Sequence, residues 1–250
     1  MDERSLNSRL SRISTIWTVV GDAHAVPGDA ASDARLALLQ RYQGAAYRYL
    51  LGAVRNAEAA DDLFQEFALR MMRGAFHHAD RGRGRFRDYV KTALVRLVID
   101  HQNRQRNQSR PLDLAVAEPA VSDDALASDE QFIASWREEL LARAWRVLEE
   151  AQSQGGQPYH SVLRFRAENP DASSADMAAR LTEQLGPPVP FTETGIRKTL
   201  QRARAQFADA LIEEVVQSLT QPTRDELEQE LIDLGLLSYC RSALQRRRDS

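Results

Sequence analysis

The chain has 250 residues, 43% hydrophobic and 28% charged, with a formal net charge of −3, which fits one large or two small globular domains. No apolar run approaches the roughly 20 residues that span a bilayer, and the opening MDERSLNSRL lacks a signal-peptide core, so a cytoplasmic protein with no membrane contact is expected. Cys240 is the single cysteine, which excludes an intrachain disulfide and a cysteine metal cluster.

In chain order the predicted elements are helical almost throughout. Period-two strand patterns are missing, and β-branched residues are scattered. Residues 31–55 place Leu36, Leu39, Tyr42, Ala46, Tyr49, Leu50 and Ala53 at helical spacing. Residues 57–73 carry Ala60, Leu63, Phe64, Phe67, Ala68 and Met71 on one stripe, edged by Asp61, Asp62, Gln65 and Glu66. An acidic rim beside apolar side chains suits protein docking, and equally suits a core helix with a solvated edge. Residues 87–103 repeat the pattern with Val90, Leu94, Leu97 and Val98. Three such helices can bury a core of their own.

That third helix lies in the most strongly charged part of the chain. Residues 81–110 hold nine cationic side chains (Arg81, Arg83, Arg85, Arg87, Lys91, Arg96, Arg104, Arg106 and Arg110) against Asp88 and Asp100, a net +7. Such a block needs a polyanionic partner or an internal acidic one. Phe86 and Tyr89 within it add stacking surfaces, and cations interleaved with rings suit unpaired bases. Of the 33 basic residues only Lys91 and Lys198 are lysine. Arginine dominance fits phosphate and base recognition, and it also fits a base composition that favours arginine codons.

Residues 111–131 then carry six carboxylates, Pro111 and Pro119, and no Lys or Arg. They read as an extended, self-repelling linker that either spaces two domains or occupies the basic block. A second helical block is predicted from Phe132, with Trp136, Leu140, Leu141, Ala144, Trp145 and Leu148 in register until Gly155, Gly156 and Pro158 end it. A short helix is predicted next, at 159–168. Asp171, Ser173 and Ser174 are N-cap candidates for the helix after that, and Thr192 for the one beyond. The last pair reads as a helix-turn-helix with the long connector LTEQLGPPVPF. In its second helix Ile196, Leu200, Ala203 and Phe207 point inward, and Thr194, Arg197, Lys198, Gln201, Arg202 and Arg204 point elsewhere. Those are types that grip guanine, adenine and phosphate; a solvated amphipathic helix would show the same pattern. Residues 220–250 add a stripe of Leu227, Leu231, Leu234, Leu237 and Tyr239, of unassigned role.

The expected fold is therefore all-α, two small helical domains joined by an acidic linker. The five histidines are dispersed, no H-E-x-x-H occurs, and GRGRF at 82–86 has no strand before it. No enzyme, metal site or cofactor is expected.

DDLFQEFALRMM followed by GRGRFRDYVKTALVRLVIDHQNRQ resembles region 2 of a bacterial extracytoplasmic-function (ECF) sigma factor, and residues 132–219 resemble region 4. RGRGRFRDYVKTAL is similar to the ECF groups abundant in planctomycetes, which often begin with a Thr-x-Trp segment such as ISTIWTVV at Ile13–Val20. The resemblance implies a region 2 domain at 13–110, a linker at 111–131, a region 4 domain at 132–219 and a C-terminal extension at 220–250. It implies docking on core RNA polymerase, at the β′ clamp helices through Asp61, Asp62, Leu63, Gln65, Glu66 and Phe67, and also at the β flap. It implies melting and holding of the minus-ten element by the loop around His78–Arg85 and by Arg83, Arg85, Phe86, Arg87, Tyr89, Lys91 and Arg96. Arg104 and Arg106 would hold upstream duplex phosphates, and Thr194, Arg197, Lys198, Gln201, Arg202 and Arg204 would read the minus-thirty-five element. The linker would run toward the RNA exit channel. Promoter DNA, and an anti-sigma factor or regulatory kinase, are the further partners implied. The alternative function is that of a stand-alone helix-turn-helix transcriptional regulator, which binds duplex DNA without polymerase.

Overall fold

A computed structural model describes residues 30–73, 86–108, 124–187, 189–219 and 222–248. Among these the structure is all-α: α1 (Ala30–Val54), α2 (Ala57–Met72), α3 (Phe86–Gln108), α4 (Asp124–Ser153), α5 (Tyr159–Glu168), α6 (Ser174–Leu185), α7 (Glu193–Val216), α8 (Arg224–Asp233) and α9 (Leu237–Arg248). The chain divides into two compact units, 1–139 and 140–250. The boundary falls inside α4, so its first half belongs to one unit and its second half to the other.

In the first unit α1 is the central helix. Asn56 caps the start of α2 by accepting from the Ala59 N–H, and Arg55 in the left-handed region (φ 51°) makes the tight reversal between α1 and α2. The buried set of α2 is Ala60, Leu63, Phe64, Phe67, Ala68 and Met71, the stripe expected from spacing alone. Tyr47 of α1 meets Phe64 edge-on, and its hydroxyl donates to Asp61 at 2.7 Å. Val90, Leu94, Leu97 and Val98 of α3 close the core.

The first half of α4 completes this core from the opposite side of α1. Trp136 stacks on Tyr42 with centroids 4.6 Å apart, Phe132 meets Tyr49 edge-on, and Arg48 donates to Glu139 at 2.6 Å. Gly44 makes the close approach possible: a Cβ there would lie 1.9 Å from a Glu139 carboxylate oxygen that Arg48 holds in place. The expected linker is shortened accordingly. Helix α4 begins at Asp124, eight residues before Phe132. Carboxylates at a helix start are favoured by the dipole, Ala125, Leu126 and Ala127 are good helix formers, and the Phe132 and Trp136 anchors hold the helix in place. Residues 111–123, and the Thr-x-Trp segment at 13–20, lie outside the described residues.

The second unit is built on α7. Its core gathers Val162 of α5, Met177, Ala178 and Leu181 of α6, and Ile196 and Leu200 of α7, with Phe191 of the connector packed against them. The second half of α4 contributes Leu140, Ala144 and Leu148, and sets Trp145 against Phe207 and His160. Gln152 of α4 accepts from the Ser161 N–H and donates to its hydroxyl, satisfying the start of α5.

The C-terminal residues form part of this unit. Helices α8 and α9 pack on the far half of α7 through Leu227, Leu231, Leu234, Leu236, Cys240 and Ala243. The expected stripe holds only as far as Leu234. Gly235 adopts φ 66° and ends the first helix, so the register restarts: Leu236 and Cys240 are buried while Tyr239 is 61% exposed.

Candidate nucleic-acid interface

The polar edge of α2 is presented largely as spacing predicts. Gln65 is exposed, and Asp61 and Glu66 are half-buried. Asp62, on the same edge, stands one residue before Leu63. Asp61 is also a structural acceptor for Tyr47. Leu63 and Phe67 are corrected: at 3% and 0% exposure they are core, because their side chains fill the space under α1. The apolar side chain this helix does expose is Leu69, 43% accessible, one turn beyond Gln65 and Glu66. Its position off the apolar stripe is the signal for it in the sequence. Glu66 pairs with Arg70 on its own helix and lies 3.8 Å from Arg104 of α3.

The basic block of α3 separates into residues held within the fold and residues facing solvent. Phe86 packs edge-on against Tyr42 at 5.3 Å. Arg87 is 8% exposed, which corrects the expectation that it faces DNA: it sits on the core side of the helix, two turns before Leu94. Lys91 donates to Asp129 of α4 at 3.0 Å, and Tyr89 is half-buried. Arg96, Arg104 and Arg106 are exposed. Arg83 and Arg85, with the loop around His78, lie outside the described residues.

In the second unit Thr194, Arg197, Lys198, Gln201, Arg202 and Arg204 stand clear of the buried stripe of α7. Thr194, Arg197, Lys198 and Gln201 follow helical spacing along one face, flanked by Arg202 and Arg204. Thr192 caps the helix by accepting from the Gly195 N–H, which fixes where that face begins. The connector before it is long but tied down: Gly186 caps α6 in the left-handed conformation (φ 55°), and the Phe191 N–H donates to Thr182 Oγ1 at 2.9 Å. At the far end of α7, Asp209 pairs with Arg246 of α9 at 3.1 Å and Glu214 with Arg143 of α4 at 3.8 Å. The first half of the helix is thus net basic, with Glu193 of its first turn paired to Arg197, and its acidic end is compensated. Ser173 and Asp176 form a reciprocal capping box on α6; hydrogen bonds from Ser173 hold the Asp176 carboxyl below its ordinary range.

Residues 38–108 match the family model of sigma-70 region 2, covering all of α2 and α3 and most of α1. That match supports a sigma-70 family sigma factor, a DNA-binding factor acting in transcription initiation with RNA polymerase. No curated protein and no solved structure matches the chain. No helix is long and apolar enough to cross a membrane among the described residues.

Proposed function

We propose that the chain is a cytoplasmic sigma factor of the ECF type, from the group abundant in planctomycetes, that brings core polymerase to a small set of promoters. The carrying observation is one chain that combines a sigma-70 region 2 match at 38–108 with a capped, solvent-facing basic helix on a separate core. In this reading Asp62, Gln65, Glu66 and Leu69 dock on the β′ clamp, with charge setting register and Leu69 adding apolar contact. Helix α3 holds the melted strand: the half-exposed Tyr89 ring takes a base while Lys91 and Arg96 hold backbone. Arg104 and Arg106 take upstream duplex phosphates. Helix α7 reads the upstream element in the major groove, and the β flap receives this domain. An anti-sigma factor or kinase would act as a regulator of these contacts.

In vitro transcription with purified core enzyme on genomic fragments tests the proposal. Template-specific transcripts that require the protein are expected, together with retention of core in a pull-down. Their joint absence overturns it. Specific duplex binding with no core retention would assign the chain to the stand-alone regulators instead.

A further inference from the structure

The first half of α4 lies outside the region 2 match, yet it touches that domain where α3 is proposed to hold nucleic acid. Trp136 is fully buried against Tyr42, and the same Tyr42 ring meets Phe86 edge-on. Seven residues before Trp136, the Asp129 carboxylate sits 3.0 Å from the Lys91 ammonium. A carboxylate on a lysine at that distance makes the contact a backbone phosphate would make. The Arg48–Glu139 pair and the Gly44 cut-out fix the segment on α1 and so set where Asp129 falls.

Resting on the reading that α3 holds nucleic acid, we infer that Asp129 is an internal competitor for that site. It occupies Lys91 in the free protein and sets the threshold that a nucleic-acid strand must exceed. The clasp is poised to open. Lys91 and Asp129 remain 24% and 44% exposed, so an incoming phosphate can reach the pair. Asp129 thus lowers the affinity of every strand that takes Lys91 by a common factor, so weak strands fall below the level at which they bind.

The test is binding of a labelled single-stranded DNA oligonucleotide to the full chain without polymerase, read by fluorescence anisotropy. Asp129→Asn is expected to tighten binding by about threefold to fivefold, the scale of a partly exposed ion pair. The gain should shrink at high salt. In a Lys91→Gln background the same substitution should change affinity by less than about twofold, because no ammonium remains to release. Unchanged or weaker binding by Asp129→Asn overturns the inference, and so does an equal gain in the Lys91→Gln background, which would be a net-charge effect. Transcription by the wild type with core enzyme is measured alongside. Transcription with no Asp129 effect removes the competitor alone; a Lys91-dependent gain without transcription keeps the competitor and removes the sigma reading.

Discussion

The basic helices α3 and α7 carry the same kind of sequence, arginines and a lysine around an apolar stripe, and present it in opposite ways. In α7 the cationic face is capped at its start and exposed to solvent, and its ion pair with a carboxylate, Arg197 with Glu193, lies within the helix's own first turns rather than with another element. In α3 the first turns are engaged within the fold: Phe86 on Tyr42, Arg87 in the core, and Lys91 on Asp129. Charge density in a sequence therefore marks a candidate polyanion site but does not say whether its side chains are available. Availability depends on what the rest of the chain places against it, here the first half of α4. A duplex reader acts through a face that is always exposed. A site for melted strand that is occupied in the free protein binds only when the strand's other contacts exceed the cost of displacing the occupant.

The largest effect separating the two regions should be on stability. Trp136→Ala removes a fully buried ring from the first unit and should cost about 3–5 kcal/mol there. Arg197→Ala, at an exposed position, should stay within about 0.5 kcal/mol. Denaturant titration checks both, and a comparable loss in the two variants would erase the distinction between a held helix and an open one. Next in size, Asp62→Arg combined with Glu66→Arg should weaken core polymerase binding by roughly tenfold or more, through like-charge contact at the dock. Binding of the isolated protein to duplex DNA should not weaken, since α7 is untouched and the carboxylate beside Arg104 is removed. Core affinity equal to wild type would remove α2 from the docking surface.

Base selection gives a sharper contrast. Arg197→Ala should relax preference at one upstream position by about 1–3 kcal/mol, while Arg106→Ala should weaken all promoters alike. A promoter-library readout with these effects exchanged would reverse the two assignments. The smallest effect concerns how the second unit is held. Ser173→Ala should cost about 1 kcal/mol by removing the N-cap of α6. The Asp176 carboxyl, held low by Ser173, favours the folded state when ionised. That contribution is complete above the unfolded-state value of about 3.9 and is lost as pH falls through the lower folded value. Acid titration of stability should show a shallower dependence in Ser173→Ala than in the wild type.

Much of this architecture was legible in the sequence because helical spacing reports burial wherever a helix has one apolar face. The buried set of α2 could be read in full, Thr192 is recognisable as a cap from residue type and position, and Ser173 is the one of three candidates (Asp171, Ser173 and Ser174) that caps α6. The same reasoning failed where a helix is covered on two sides. Tyr47 and Ala45 of α1 are buried with Leu39 and Tyr42 because α2 and the first half of α4 approach from different directions. It failed again at α4, where acidic composition outweighed the Phe132 and Trp136 anchors that hold the segment in a helix. In the C-terminal residues one left-handed glycine, Gly235, reset the register and moved Tyr239 from the expected core to the surface. For the site itself, the α7 face could be read from spacing, since exposure there depends on the helix alone. The occupied state of α3 could not, because Asp129 lies 38 residues from Lys91 and only the tertiary fold brings them together.

Permanganate footprinting on a promoter selected with the holoenzyme tests the sigma reading most directly. Reactive, unpaired thymines in the downstream element are predicted only when core enzyme and this protein are both present, with weaker reactivity in Arg197→Ala. Thymine reactivity with the protein alone, or none with both components, would contradict it.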